Sequence, residues 1–162
     1  MNSSALIRVI FITVLILILQ IFIPAINIYG LEINPDLIII LMAYFGYYYG
    51  RLVAIIIGFL LGLIQDLITQ YELIGIMAFS KSIIGYILGT MELYHSIWHR
   101  NFRLFFIFIT YLLHFFIYYF FRFNGTTISA VLFFKIILLQ TILCFLILFL
   151  FDRAIMKNGI TR

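Results

Sequence analysis

The chain has 162 residues, of which 66% are hydrophobic and 10% are charged. Soluble domains carry about 25% charged residues, so this composition excludes a soluble globular protein. The net charge of +4 comes without a basic face or recognition motif, which argues against nucleic-acid binding. Because a spanning helix needs about 20 apolar residues, the length predicts a single transmembrane domain over residues 1–162 with no separate soluble part.

Apolar runs separated by polar clusters predict an all-α bundle of about six transmembrane helices. The first run, residues 5–28, is longer than the core of a signal peptide, so we expect it to be retained. Pro24 is expected to bend or end this helix. The other predicted spans are residues 37–50, 52–69, 74–93, 104–121 and 129–151.

The second predicted span, residues 37–50, is short. As a helix it covers about 20 Å, against about 30 Å for the hydrocarbon core. It either lies beside thinned lipid or enters the membrane and returns. One long tilted helix over residues 37–69 would place Arg51 near mid-membrane, at a cost of about 2.5–3.5 kcal/mol. We therefore predict two helices joined by a tight turn at Gly50-Arg51.

Basic residues are distributed unevenly between the connections on the two sides of the membrane. With the N-terminus inside, the inner segments hold Arg8, Arg51, Arg100, Arg103, Arg153, Lys157 and Arg162. The outer connections hold only Arg122, together with the acidic Glu32, Asp36 and Glu72. The positive-inside rule therefore predicts that both termini are cytoplasmic.

Small residues recur along one face of the third and fourth predicted helices. These residues are Ala54, Gly58, Gly62 and Asp66 on one helix, and Ala78, Ser82, Gly85 and Gly89 on the other. Small side chains let helix backbones approach closely in lipid, so we expect Gly58, Gly62, Gly85 and Gly89 to form a packing interface.

Asp66 and Lys81 are the ionisable residues inside this predicted hairpin. Asp66 is about one turn from the outer end of the third helix, and Lys81 is about two turns into the fourth. They are therefore expected to be close enough to pair. Intramembrane ionisable residues are candidates for function, so the pair is either a clamp that fixes the register of the hairpin or a polar site that binds a partner.

The sequence predicts no enzyme, cofactor or metal site. It contains no HExxH, Gly-x-Ser-x-Gly or Walker motif. His95 and His99 have i, i+4 spacing but no acidic or cysteine ligand nearby, and the lone Cys144 lies in an apolar run. Tyr111 and His114 share a face of the fifth helix, where interhelical hydrogen bonds are the favoured interpretation over a proton relay.

Several motifs combine in a recognisable order. Asn34-Pro35-Asp36-Leu37 opens an apolar helix that ends at Gly50. Gly58-x-x-x-Gly62-x-x-x-Asp66 follows, and then come Ile74-Gly75 and Ser80-Lys81-Ser82-x-x-Gly85-Tyr86. This pattern resembles the MreD family of bacterial rod shape-determining membrane proteins. One departure is the turn Thr69-Gln70-Tyr71-Glu72, which lacks the glycine found in many members.

The resemblance implies a non-enzymatic inner-membrane scaffold of the peptidoglycan elongation machinery, the elongasome. Its partners would be the single-span protein MreC and, through the complex, the MreB filament and the wall synthases. The resemblance also implies a fold similar to the substrate-binding subunits (S components) of energy-coupling-factor transporters. A vitamin-binding subunit of such a transporter is therefore the alternative function, although the outer connections offer few ligand groups.

Overall fold

The computed structural model describes residues 3–23, 26–28, 31–69, 74–124 and 129–155. Over these residues, the regular secondary structure is helical apart from one pair of short antiparallel strands, in which Ile26 lies opposite Ile33. In chain order the elements are α1 (Ser3–Phe22), β1 (Ile26–Ile28), β2 (Leu31–Ile33), α2 (Leu37–Thr69), α3 (Ile76–Leu88), α4 (Thr90–Tyr94), α5 (Arg100–Arg122) and α6 (Ala130–Ile155).

The first helix is shorter than the predicted span. α1 ends at Phe22, and residues 26–28 form a strand, so the predicted helix over residues 5–28 is wrong at its C-terminal end. Ile23 directly precedes Pro24, and a residue before proline disfavours the helical conformation. The end of α1 is tied to the start of α2 by Gln20, whose amide donates to the Pro35 carbonyl (3.0 Å) and accepts from the Leu37 N–H (2.7 Å).

The long helix α2 reverses direction at Gly50. This residue has φ 76° and ψ −172°, which a residue with a side chain adopts only at a cost. A methyl group added to Gly58 would lie 2.7 Å from the Met42 Cε. In one continuous helix, residues 42 and 58 would be about 24 Å apart. Residues 37–49 and 51–69 therefore lie side by side as two antiparallel helices, as the sequence predicted.

The second half of α2 packs against α3 through backbone contacts that leave no room for larger side chains. A methyl group on Gly62 would lie 2.6 Å from the Ala78 Cα, and one on Gly85 would lie 2.5 Å from the Ala54 carbonyl oxygen. Gly58 faces the Lys81 carbonyl in the same way, and Gly89 faces Arg51. The residue pairs run in opposite directions along the two segments, so the helices are antiparallel.

The outside of the bundle is apolar. In the described chain, four stretches are long and apolar enough to cross a membrane: Leu37–Thr69, Ile76–Tyr94, Arg100–Arg122 and Ala130–Asp152. Val9–Phe22 in α1 is a shorter apolar helix. Large side chains such as Phe11, Phe105 and Val131 are each more than 60% exposed. Such a surface is unsuited to water but matches lipid, so the chain is a membrane protein.

The centre of the bundle is the first half of α2. Residues 38–46 of this segment are all buried, and α3, α5 and α6 contribute the other side chains of the same core. A helix that is apolar on every side is expected to be enclosed by other helices or by lipid. Here the protein itself encloses it, and the polar residue that begins this central helix therefore lies in the interior.

Candidate functional site

Asp36 begins the central helix and lies at the middle of a buried polar cluster. Its Oδ1 accepts hydrogen bonds from the backbone N–H groups of Ile38 (3.0 Å) and Ile39 (3.4 Å). This is the N-cap position, where a carboxylate satisfies donors that have no partner within the helix. The residue is 3% exposed. Asp36 lies in the connection before α2, as the sequence indicated, but its side chain is buried there because β2 and the start of α2 pack against α6.

Lys81 of α3 supplies the positive charge that balances Asp36. Its Nζ lies 2.7 Å from Asp36 Oδ2, and it also donates to the Oε1 of Gln65 on α2. The Lys81 side chain is fully buried, so its ammonium group does not extend to water or to headgroups. Because an unpaired charge is very costly in such surroundings, the two residues depend on each other.

His114 of α5 joins the cluster from the other side. Its Nε2 lies 3.5 Å from Asp36 Oδ2, and its Nδ1 lies 2.8 Å from the Ser80 Oγ. The contact between Ser80 on α3 and His114 on α5 is the kind of interhelical hydrogen bond that the sequence favoured for His114. The cluster therefore connects the start of α2 with α3 and α5.

Ser80 contacts His114 and His114 contacts Asp36, as serine, histidine and aspartate do in a hydrolase triad. The surroundings of these residues do not suit that chemistry. Ser80 is fully buried and does not line the cavity described below. A nucleophile must reach the carbon that it attacks, and this hydroxyl is enclosed by protein. Asp36 is also already paired with Lys81. We therefore interpret the three residues as a structural network.

Asp66 caps α3 from the neighbouring helix. Its carboxylate accepts hydrogen bonds from the N–H groups of Gly75 (3.0 Å), Met77 (3.2 Å) and Ala78 (3.1 Å). These donors belong to the first turn of α3, where the helix dipole also favours a negative charge. Gly75 has φ 103°, a conformation open to glycine that turns the chain toward Asp66.

The predicted ion pair between Asp66 and Lys81 is wrong. Both side chains lie on the facing sides of α2 and α3, but Asp66 binds the beginning of α3. Lys81 lies deeper in the bundle, beside Asp36. Sequence reasoning did not identify Asp36 as the partner of Lys81, because the polar run Asn34-Pro35-Asp36 is typical of a loop. The available signal was a helix N-cap residue directly before an apolar run whose residues 38–46 are all buried.

Two arginines at the Gly50 end of the bundle stack on tyrosines. The Arg51 guanidinium lies 5.0 Å from the Tyr86 ring centroid. The Arg103 guanidinium lies 5.5 Å from the Tyr47 ring and donates to its hydroxyl (2.9 Å). Tyrosines and arginines are typical of the membrane interface, where one end of the side chain is apolar and the other polar.

A cavity of about 280 Å³ lies beside the cluster. Its lining includes Asp36 and Gln65 from the cluster, and also Thr69 and Arg122, the last residues of α2 and α5. The cavity therefore extends from the cluster to the end of the bundle opposite Gly50. In the described chain, no group of three or more His, Cys, Asp or Glu side chains is placed to hold a metal ion.

A family model for the rod shape-determining protein MreD matches residues 2–157. The chain belongs to the MreD family. Its members are membrane proteins that determine rod shape, so the resemblance seen in the motifs is confirmed over nearly the whole chain. Among curated proteins and among solved structures, no match is found.

The motifs that carried the resemblance to MreD also supply the buried cluster. Asn34-Pro35-Asp36 contributes the central carboxylate, and Ser80-Lys81 contributes the ammonium group and the hydroxyl. The Gly-x-x-x-Asp motif contributes the cap of α3. The motifs on which the resemblance was based therefore also supply contacts that join the helices.

Proposed function

We propose that this MreD protein is a non-enzymatic scaffold in the inner, cytoplasmic membrane of a bacterial cell. It would hold components of the peptidoglycan elongation machinery together and so maintain rod shape. The observation that carries the proposal is membership of the MreD family over residues 2–157. The buried cluster supports it, since polar residues that could act in catalysis are engaged in joining helices.

The proposed partner is a single-span MreC-like protein, and the MreB filament and wall synthases would be reached through the complex. A partner that binds in the membrane needs a fixed helix surface to recognise. The pair of Asp36 and Lys81 and the cap formed by Asp66 both support a rigid arrangement of α2 and α3, and this hairpin is our candidate for the binding surface.

We further propose six passes through the membrane, with both termini in the cytoplasm. The reversal at Gly50 supports counting α2 twice. Arg51 and Arg103 lie at the Gly50 end of the bundle, while Arg122 lies at the other end. This distribution supports a cytoplasmic position for the Gly50 end. Glu72 and Gly125, which we expect on the outer side, lie outside the described residues.

The scaffold role is tested by depletion and by purification of the complex. Depleting the protein should turn rods into rounded cells, and tagged protein should recover a single-span partner from detergent extracts. An unrelated membrane protein with the same tag and the same expression level is the control. Unchanged rod shape after full depletion would contradict the proposed function.

The alternative is a small-solute binding subunit of an energy-coupling-factor transporter. The cavity of about 280 Å³ is the observation that favours it, since solute-binding subunits need an enclosed site. The same purification distinguishes the two candidates. Recovery of a pair of ATPases in place of a single-span protein would support the transporter role.

A further inference from the structure

The cavity next to Asp36 has a lining suited to an uncharged, polar molecule. Two residues with amide side chains, Gln65 and Gln140, and a tyrosine, Tyr119, line it. Met77 and Phe115 provide apolar surface between these groups. A few polar groups set among apolar walls are typical of sites that bind small molecules.

The two charged groups at the inner end of the cavity, Asp36 and Lys81, neutralise each other. Asp36 Oδ2 is 2.7 Å from Lys81 Nζ, so the inner part of the cavity presents no net charge. A charged ligand at that depth would need its own counter-charge to offset the loss of water. Arg122 lines the other end of the cavity, at the exposed end of α5, and donates to the Tyr118 hydroxyl. The inner part of the cavity therefore favours a neutral ligand.

Gln140 has hydrogen-bonding capacity that the described protein does not use. Its side chain is 3% exposed, and its Nε2 donates to the Asn34 carbonyl (2.8 Å). Its Oε1 is buried and accepts no hydrogen bond within 3.5 Å among the described residues, and the Gln140 amide lies close enough to the Tyr119 hydroxyl to interact with it. A buried acceptor without a partner is unfavourable, and a hydroxyl group of a bound ligand would satisfy it.

We infer that the cavity binds an uncharged, hydroxyl-rich group about the size of a monosaccharide. Amide and tyrosine side chains exchange hydrogen bonds with hydroxyl groups, and Phe115 and Met77 suit the apolar C–H faces of a sugar ring. The volume of about 280 Å³ admits a single ring and is slightly below the range of about 300–1,000 Å³ of drug-sized sites. This inference does not depend on the proposed role in wall elongation.

The hydroxyl-rich group has two possible sources, a free sugar outside the membrane or the headgroup of a glycolipid. The experiment uses full-length protein in nanodiscs of phosphatidylglycerol. One arm titrates glucose and N-acetylglucosamine in solution, and the other incorporates monoglucosyl diacylglycerol. Binding is measured as the rise in apparent unfolding temperature, since a ligand that binds only the folded protein stabilises it. Inorganic phosphate is the charged comparison.

We expect the apparent unfolding temperature to rise saturably with at least one uncharged probe and to stay unchanged with phosphate. Gln140→Leu should weaken binding about tenfold, as for the loss of one hydrogen bond to a buried partner. Tyr119→Phe removes a lining hydroxyl with little change of shape and is the second variant. Thr141→Val is the control, because Thr141 is buried beside Gln140 and bonds to the Ile137 carbonyl without lining the cavity.

A response only to free sugars assigns a soluble ligand, and a response only to the glycolipid assigns a headgroup. Saturable binding of phosphate, or equal binding by Gln140→Leu, Tyr119→Phe and the parent protein, would overturn the inference. The absence of a saturable response to any uncharged probe, with the protein folded, would overturn it as well. None of these outcomes changes the test by depletion, so the two proposals fail separately.

Discussion

Lys81 is nearer in the sequence to Asp66 than to Asp36, yet its Nζ lies 2.7 Å from Asp36 Oδ2. The ion pair connects the start of the central helix, which precedes the reversal at Gly50 in the chain, with α3, which follows it. Both residues are buried, so neither charge has water as an alternative partner. Their interdependence leads to the first prediction.

Lys81→Met should destabilise the protein by about 3–5 kcal/mol, because it leaves the Asp36 carboxylate buried without its counter-charge. Adding Asp36→Asn should restore part of the loss, since asparagine keeps the N-cap and removes the charge. Thermal unfolding in detergent measures both variants. Lys135→Met is the control at an exposed lysine of α6. A double variant no more stable than Lys81→Met would contradict the pairing.

Asp66→Ala should lower the stability of the hairpin by about 1–2 kcal/mol, because three N–H groups of α3 lose their acceptor. Asp66→Asn keeps an acceptor oxygen and should retain more function. At matched expression, we expect Asp66→Ala cells to be rounder and to yield less of the single-span partner. Normal rods with full recovery of the partner would show that the scaffold tolerates loss of this cap.

Gly62→Leu should separate α2 from α3 and reduce the amount of protein in the membrane. Even a methyl group at this position would lie 2.6 Å from the Ala78 Cα, and overpacking costs at least about 1–3 kcal/mol. Ala130→Leu adds a similar bulk at an exposed position of α6 and is the control. Western blots of membranes and thermal unfolding provide the measurement, and equal behaviour of the two variants would contradict close packing at Gly62.

Gly50→Ala should destabilise the reversal in α2 by about 1–3 kcal/mol, because φ 76° with ψ −172° is a backbone conformation open essentially to glycine alone. Gly50→Asn should cost as much, since the left-handed conformation that asparagine tolerates has a different ψ. Unfolding temperatures of the two variants provide the comparison. An unchanged temperature for Gly50→Ala would show that the chain can turn here with ordinary backbone angles.

Topology is measured by labelling introduced cysteines with an impermeant thiol reagent in whole cells. In a Cys144→Ala background, Glu32→Cys, Glu72→Cys and Gly125→Cys should react. Arg100→Cys should react only after the cells are opened, because we place the connection before α5 in the cytoplasm. Labelling of Arg100→Cys in intact cells would overturn the proposed orientation.

The sequence predicted the reversal at Gly50 because the competing structure carried a definite cost. A single helix would have placed Arg51 in the hydrocarbon core, whereas the turn places it at one end of the helix pair, over the Tyr86 ring. The ends of most helices were also predictable from polar residues. For α1, the effect of Pro24 extends to Ile23, and the strand after it depends on its pairing with β2, which is not apparent within a single apolar run.

The pairing of charges was not predictable in the same way. Asp66 and Lys81 are close in the sequence and on facing helices, so both could reach each other in a simple hairpin. The choice depends on depth in the bundle, and depth depends on the packing of β2 and the start of α2 against α6. Such contacts join distant parts of the chain, so the N-cap pattern at Asp36 could indicate that the residue is buried but not which charge it pairs with.

The shortness of the central helix has a consequence for the shape of the protein. Residues 37–49 cover about 20 Å, roughly 10 Å less than the hydrocarbon core. Because this segment is enclosed by the protein, its shortness does not require the bilayer to thin. The cavity lies beside Asp36, the N-cap of this segment. An additional turn at that end would extend the helix by about 5.4 Å toward the cavity, so we expect the length of the central helix to limit how deep a ligand can enter.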